Sequence, residues 1–171
     1  IRAGGPAALA AGFVSRAEPI EYATRPGRDG APRTAHAFFH APRHPRFTTP
    51  SGTKPPLMVM LHGGPTEHAS PAQSLSIQFW TTRGFAVVNV NYGGSSGFGR
   101  AYRDRLLGEW GVVDLEDAVA AVDHLAATGR IDGARVAIRG GSAGGYTVLA
   151  GLAFTRRFAA GINYFGIADL E

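Results

Sequence analysis

The chain has 171 residues, of which 44% are hydrophobic and 18% are charged, as expected for a folded domain rather than a disordered segment. Its 17 basic and 13 acidic residues give a net charge of +4, and basic residues never form a run longer than two, so we expect no nucleic-acid partner. The absence of cysteine excludes disulfide bonds and thiolate metal sites. No apolar run reaches the ~20 residues of a membrane-spanning helix, so we expect no membrane partner and a cytoplasmic location.

In chain order, the region up to residue 56 contains most of the prolines and one predicted strand, TAHAFFHA, between two polar loops. From Leu57 onward, apolar runs of strand length alternate with amphipathic runs of helix length. The further predicted strands are LMVMLH, FAVVNVN, RVAIRG and AAGINYF. This alternation predicts an α/β fold in which a mostly parallel sheet has helices on both faces.

Helices are predicted in the segments between these strands. Ser70 is expected to cap the first helix, which stops at Gly84. Asp114 is expected to cap the second helix, which ends before Gly129 and has an apolar face of Leu115, Ala118, Val119, Val122 and Ala126. The third helix, SAGGYTVLAGLAF, follows the strand RVAIRG after one further glycine.

Ser142 lies at the junction of that strand and that helix, where Gly140 to Gly144 match the pattern GxSxG. Loops and helix amino termini converge at the carboxyl edge of a parallel sheet, and ligands bind there. A strand that turns directly into a helix strains its turn residue, and flanking glycines remove side chains that would clash. The pattern predicts that Ser142 is an exposed nucleophile and that the amide of Ala143 faces a developing oxyanion.

Two other interpretations of this segment are a tight turn built from small residues and a glycine-rich loop that binds phosphate. The nucleotide-binding patterns GxGxxG and GxxxxGK[ST] do not occur, and the only lysine, Lys54, precedes a proline. The order of strand, GxSxG and helix, with HGGP after an earlier strand, favours the nucleophile over both alternatives.

The loop His62-Gly63-Gly64-Pro65 ends an earlier strand of the same predicted sheet. Small residues there allow a carbonyl group to approach, so a backbone amide of this loop can be the second oxyanion donor, and Gly64 is expected to supply it. His62 is interpreted as a residue that shapes the loop rather than as a catalytic base. Tyr92 begins the segment YGGSSGFG, and the sequence leaves open whether it lines the site or packs under the loop.

From about residue 18 onward, the chain resembles the catalytic domain of the prolyl oligopeptidase family of serine peptidases, especially its acylaminoacyl-peptidase and dipeptidyl-aminopeptidase-like branch. The motifs that carry the resemblance are TAHAFFHAP, LHGGPT, FAVVNVNYGGSSGFGRAYRDRL, GEWGVVDLEDAVAAVDHL, RVAIRGGSAGGYT and FAAGINYFGIADLE. The resemblance implies an α/β-hydrolase fold and a short-peptide substrate, with neither a metal nor an organic cofactor. It also implies that residues 1–17 are the end of an upstream propeller-like region with its linker, and that residues 18–171 are the amino-terminal part of the catalytic domain.

By the same resemblance, Ser142 is the nucleophile, and Ala143 and Gly64 supply the oxyanion-hole amides. The residues expected to shape the site around them are His62, Gly63, Tyr92, Gly140 and Gly144. Some relatives carry an oxyanion tyrosine around the position of His62, so this chain would rely on backbone amides there.

Acyl transfer by a serine needs a base to accept its proton and an acid to orient that base, and in this fold both follow the serine along the chain. All six histidines precede Ser142, and the carboxylates that follow it are Asp169 and Glu171. Asp169 is interpreted as a loop residue, because the family places its acid one strand later. We therefore expect a fragment that lacks the triad Asp and His and that is inactive and poorly stable by itself.

The main functional hypothesis is a serine peptidase that hydrolyses oligopeptides through an acyl-enzyme on Ser142. A carboxylesterase or lipase of the same fold is the nearest alternative, because a GxSxG serine and a glycine-rich oxyanion loop also serve carboxyl esters. A non-catalytic binding module is a second alternative. The sequence leaves the oligomeric state and the preferred side chain at the cleavage site open.

Overall fold

The computed structural model describes residues 9–169, which form six strands and four α-helices. The strands are β1 (Glu18–Thr24), β2 (Arg33–His40), β3 (Leu57–Leu61), β4 (Ala86–Asn91), β5 (Val136–Gly141) and β6 (Ala160–Tyr164). The helices are α1 (Leu75–Thr81), α2 (Arg100–Arg103), α3 (Val113–Ala127) and α4 (Ala143–Phe154), with 3₁₀ turns at Ala11–Phe13 and Asp104–Leu106.

All six strands belong to one sheet with the order β1-β2-β4-β3-β5-β6. Strands β4, β3, β5 and β6 run parallel to one another, whereas β2 is antiparallel to both β1 and β4. The predicted α/β architecture with a mostly parallel sheet is therefore confirmed. Because β3, β4 and β5 are parallel, the loops that follow them meet at one edge of the sheet.

Helices cover both faces of this sheet. On one face, Ile138 of β5 shares an apolar cluster with Val122 of α3 and Val148 of α4. On the other face, Met58 of β3 clusters with Ile77 of α1. Burying one aliphatic side chain of this size contributes about 1.5–3 kcal/mol, so these two clusters hold the strands that carry the site. Among the helices of residues 9–169, none has the length and apolar character needed to span a membrane.

The amino-terminal region contains a strand that the sequence pattern did not reveal. β1 pairs along its whole length with β2, from Glu18 opposite Phe39 to Thr24 opposite Arg33. Only Tyr22 of β1 is buried, because β1 is an edge strand whose other side chains are partly or fully exposed. An edge strand with one buried residue has no run of alternating apolar positions, which is why periodicity missed it.

Residues 9–17 lie against the sheet domain. The amide of Ser15 donates to the side-chain oxygen of Gln78 in α1 at 2.8 Å, and the Ser15 hydroxyl donates to the carbonyl of Ala41 at 2.6 Å. The boundary predicted between residues 17 and 18 stays a prediction, and residues 1–8 of the proposed upstream region lie outside the described residues.

The predicted start of the first helix is wrong. Helix α1 begins at Leu75 with Ser74 as the preceding residue, several residues later than a cap at Ser70 requires. The hydroxyl of Ser70 instead accepts a hydrogen bond from the amide of Ala72 at 3.2 Å. Ser70 thus closes a local turn, which is the competing use of a serine side chain near a helix start.

The predicted cap of the second helix is also wrong. Helix α3 begins at Val113, so Asp114 is its second residue, and the Asp114 side chain is fully buried rather than exposed at a helix end. On the predicted apolar face, Ala118 and Val122 are fully buried, whereas Val119 is only partly buried. The helix lies where the periodicity placed it, but the role of its first carboxylate is different.

Candidate active site

Ser142 occupies the single residue between β5 and α4. Its φ of 53° and ψ of −121° are outside the regions that non-glycine residues normally adopt, and its side chain is exposed. The Ser142 amide donates to the carbonyl of Tyr164 at 3.0 Å, and its carbonyl accepts from the amides of Gly145 at 2.9 Å and Tyr146 at 3.2 Å. These bonds on both sides hold the strained residue, as is typical of functional turns.

The glycines around Ser142 are required by close contacts of the backbone. A Cβ atom on Gly140 would overlap the carbonyl group of Gly144. A Cβ atom on Gly144 would lie 2.7 Å from the carbonyl oxygen of His62, and one on Gly145 would lie 2.5 Å from Oδ1 of Asn163. Glycine at these three positions therefore allows the turn to pack closely against α4, the loop after β3 and the residues near β6.

The loop after β3 lies directly beside the serine. A Cβ atom placed on Gly63 would be 3.5 Å from Cβ of Ser142 and 3.4 Å from the carbonyl oxygen of Gly141. Gly64 has φ of +111°, and a Cβ atom there would be 2.7 Å from the amide nitrogen of Glu67. This loop conformation accepts only glycine at position 64, and it leaves backbone rather than side chains next to Ser142.

The amide of Ala143 belongs to the first turn of α4, where backbone amides have no acceptor within the helix. The side chain of Ala143 is buried, so the start of the helix is fixed against the sheet. A helix amino terminus carries partial positive charge and stabilises an adjacent oxyanion. The turn therefore combines an exposed hydroxyl with a neighbouring electropositive backbone.

Both ring nitrogens of His62 form hydrogen bonds, one within the loop after β3 and one to the loop after β4. Nδ1 lies 2.8 Å from the carbonyl oxygen of Gly63, and Nε2 lies 2.7 Å from Oγ of Ser95. Because a carbonyl oxygen only accepts, Nδ1 carries the proton and Nε2 accepts from the Ser95 hydroxyl. Burial lowers the pKa of His62, which favours this neutral form. No nitrogen of His62 is thus free to take a proton from Ser142.

Comparison with known proteins connects this geometry with a family. Residues 71–171, which include Ser142 and α4, match the family model described as "Prolyl oligopeptidase family". The chain belongs to this family.

Relatives within the prolyl oligopeptidase family share sequence and structure with the chain. Dipeptidyl aminopeptidase BIII of Pseudoxanthomonas mexicana is 39% identical over 117 residues, which are 68% of this chain and 17% of that protein. A puromycin-hydrolyzing peptidase of Mycobacterium tuberculosis has 46% identity and a TM-score of 0.87, and the match covers 95% of this chain and 24% of that one. A mutant puromycin hydrolase complexed with PGG has 43% identity and a TM-score of 0.84 over 93% of this chain and 23% of that one.

The chain thus spans between a sixth and a quarter of the length of these three family members. The resemblance inferred from the motifs, including the dipeptidyl-aminopeptidase-like branch, is confirmed, and so is the α/β-hydrolase fold. The roles of individual residues stay predictions, because the matches concern the whole segment rather than single side chains.

Tyr92 lies under the loop after β3 in this family member. Its side chain is fully buried, and its ring stacks on the imidazole of His62 with centroids 4.3 Å apart. The Tyr92 hydroxyl donates to the carbonyl of Pro65 at 2.9 Å, and burial raises its pKa. Of the two possibilities that the sequence left open, this position corresponds to packing under the loop.

Sequence reasoning missed Ser95 as a partner of the site. Ser95 is fully buried, and its hydroxyl bonds to the imidazole of His62 across 33 residues of sequence. The sequence did contain an indication of this role. Ser95 belongs to a glycine-rich loop that follows a parallel strand, and such a loop lies at the same edge of the sheet as the loop after β3.

Asp169 lies in the loop that follows β6, where the sequence placed it, and Glu171 lies outside the described residues. Within residues 9–169, no group of three or more His, Asp or Glu side chains is arranged to hold a metal ion. The described part of the site consists of the turn at Ser142, the loop after β3 and the glycine-rich segment around Ser95.

Proposed function

We propose that the full-length protein is a serine peptidase that hydrolyses short peptides through an acyl-enzyme on Ser142. The observation that carries this proposal is the exposed, strained Ser142 at the start of α4, with the glycine loop of β3 beside it. A strained serine at a strand-to-helix turn is the arrangement that presents a nucleophile in α/β hydrolases.

In the proposed reaction, Oγ of Ser142 attacks the carbonyl carbon of the scissile amide, and the amides of Ala143 and Gly64 donate hydrogen bonds to the oxyanion. A base accepts the hydroxyl proton and passes it to the leaving amine as the carbon–nitrogen bond breaks. Water then attacks the ester on Ser142 and releases the acid. Since both nitrogens of His62 are occupied, this base and its acid partner are expected in the rest of the full-length protein.

The choice of a peptide substrate rests on the relatives, which are named as a dipeptidyl aminopeptidase and a puromycin-hydrolyzing peptidase. The mutant hydrolase complexed with PGG supports the same choice. The site around Ser142 would also accept a carboxyl ester, so comparing kcat/KM for a dipeptide amide and a short acyl ester on the same preparation separates a peptidase from an esterase.

The test is covalent labelling of the full-length protein with a reactive phosphonate probe, followed by peptide mapping. Label is expected on Ser142, and Ser142→Ala should remove it and reduce kcat by about 10⁶-fold, as for nucleophile removal in a characterised serine peptidase. The matched control is Ser95→Ala, which removes a buried hydroxyl and should leave the label in place. Labelling that survives Ser142→Ala would refute the proposal, and a wild-type protein that reacts with no probe or substrate would make it a binding module.

A further inference from the structure

Helix α3 carries two aspartates, one turn apart, whose side chains are almost completely buried. Asp114 is 0% exposed and Asp117 is 1% exposed. Each carboxylate accepts one hydrogen bond from a threonine hydroxyl and one from a backbone amide. A buried carboxylate is tolerated only when such hydrogen bonds compensate for the lost hydration. Each aspartate therefore links α3 to the elements that donate these bonds.

Asp114 ties α3 to the helix that begins after Ser142. Its Oδ2 accepts the hydroxyl of Thr147, the fifth residue of α4, and the contact lies in a fully buried environment. The hydroxyl of Thr147 also lies 3.4 Å from the carbonyl oxygen of Ala143. The preceding residue, Tyr146, donates its amide to the carbonyl of Ser142 at 3.2 Å. The hydrogen bond between Thr147 and Asp114 thus lies in the first turns of α4, close to Ser142.

The second hydrogen bond of Asp114 holds a turn outside α4 that contacts the same part of this helix. Its Oδ1 accepts the amide of Gly111 at 2.7 Å. Gly111 has φ of +86°, and a Cβ atom on it would lie 2.7 Å from Cε1 of Tyr146, so this turn is pressed against the Tyr146 ring. One carboxylate therefore fixes both the buried side of α4, through Thr147, and the turn that contacts Tyr146.

Asp117 makes the corresponding bonds to different elements. Its Oδ1 accepts the hydroxyl of Thr24 in β1 at 2.6 Å, and its Oδ2 accepts the amide of Gly93 at 2.7 Å. Neither partner belongs to α4 or to the turn at Ser142. The two threonine–aspartate pairs are therefore chemically alike, but only the pair of Asp114 reaches the nucleophile helix.

We propose that Asp114, acting through Thr147, is a positioning residue that holds the start of α4 and thereby sets the orientation of the Ser142 nucleophile. The proposal rests on the proposed function of Ser142. A backbone in a sparsely populated conformation costs about 1–3 kcal/mol and persists only where the surroundings determine it, and the Asp114–Thr147 bond is one such determinant. Small errors in the position of a reacting atom slow the chemical step more than they weaken binding.

The experiment uses Thr147→Val in the full-length protein, because valine keeps the shape of threonine and removes its donor. We expect kcat to fall by ~10- to 10²-fold with KM changed by less than about twofold, and the rate of phosphonate labelling to fall in parallel. Thr147→Ser, which keeps the hydroxyl, should recover most of the lost rate. The matched control is Thr24→Val, which removes the donor to Asp117 and should lower the melting temperature without changing kcat.

Wild-type kcat in folded Thr147→Val, or an equal loss of kcat in Thr24→Val, would overturn the proposal. If Thr147→Val does not accumulate as folded protein, Asp114→Asn replaces it, because asparagine keeps one acceptor oxygen and its amide nitrogen cannot accept the donor that faces the other carboxylate oxygen. With Asp114→Asn the same loss of kcat at unchanged KM is expected, and wild-type kcat would again refute the inference. Ser142→Ala separates this result from the proposed function: loss of labelling there, with unchanged rates in Thr147→Val, rejects only the positioning role.

Discussion

Two segments of the chain match GxSxG, and both lie at the carboxyl end of a buried strand of the parallel sheet. In residues 93–97 the central serine, Ser95, is fully buried and bonds to His62. In residues 140–144 the central serine, Ser142, is exposed and has φ of 53°. The same five-residue pattern thus produces a structural hydroxyl after β4 and a candidate nucleophile after β5.

The two serines differ in the structural element that comes after each of them. Helix α4 begins at Ala143, immediately after Ser142, whereas the chain continues through a loop from Ser96 to Gly99 before α2 begins. An immediate helix forces the turn residue into a strained conformation and supplies an electropositive amino terminus. The pattern alone therefore does not distinguish the two serines, and the direct succession of strand, serine and helix at Ser142 is what predicts a nucleophile there.

Between the two segments, the largest expected contrast comes from adding one methyl group to each. Gly140→Ala places a Cβ atom in overlap with the carbonyl group of Gly144, so the turn must move, and we expect kcat to fall at least ~10²-fold. Gly97→Ala meets no atom within 4 Å and is strained only by its φ of +92°, a penalty of about 1–2 kcal/mol. Steady-state kinetics and denaturant midpoints of both variants measure the contrast. Equal kcat values would show that the two turns are equivalent.

One part of this site can be predicted from the sequence, and another part cannot. The strand β5, Ser142 and α4 could be predicted because an apolar run, GxSxG and a helix-forming run are adjacent along the chain. The bonds from His62 to Ser95 and from Thr147 to Asp114 could not be predicted, since each joins residues 33 apart and depends on the order of strands in the sheet. The sequence therefore predicted the strained turn at Ser142 and missed the buried polar groups that surround it.

A comparable or smaller effect is expected in the loop after β3, where a Cβ atom on Gly63 would lie 3.5 Å from Cβ of Ser142 and where His62 bonds to Ser95. Gly64→Val removes the proposed oxyanion amide from its position, because φ of +111° and the close amide of Glu67 leave no room for a side chain. We expect acylation to slow by ~10²- to 10³-fold, the loss measured for one oxyanion donor elsewhere. Single-turnover kinetics with a chromogenic peptide measure the acylation rate.

The control for this loop is His62→Gln, which keeps an acceptor near Ser95 and a donor near the carbonyl of Gly63. Because both nitrogens of His62 already have partners, we expect much of the activity to remain and the pH profile of kcat/KM to be unchanged. A missing titration step near neutral pH in this variant would assign His62 as a base. An unchanged acylation rate in Gly64→Val would show that the amide of Gly64 is not the oxyanion donor.

The smallest expected effect is a pH dependence of stability in the Ser95 segment. Asp117 accepts the amide of Gly93, the first residue of that segment, and the hydroxyl of Thr24. Burial raises the pKa of Asp117 to about 6, and the two hydrogen bonds act in the opposite direction. The Ser142 segment has no contact with this carboxylate through either bond, so the two segments should respond differently to its titration.

Since the folded-state pKa of Asp117 exceeds its ordinary value of 3.8, the folded protein keeps a proton that the unfolded chain loses between about pH 4 and pH 6. The free energy of unfolding therefore decreases as the pH rises through this window, by at most roughly 3 kcal/mol from this group. Asp117→Asn cannot titrate, so its stability relative to wild type should rise from about pH 4 to about pH 7 and stay level at higher pH, as measured by denaturant midpoints. The rate at which the phosphonate labels Ser142, relative to wild type, should stay constant over the same range. If the stability difference between Asp117→Asn and wild type does not change with pH, Asp117 is ionised over the whole range. If the labelling rate of Ser142 changes in parallel with the stability difference, the Ser95 and Ser142 segments respond together to this titration.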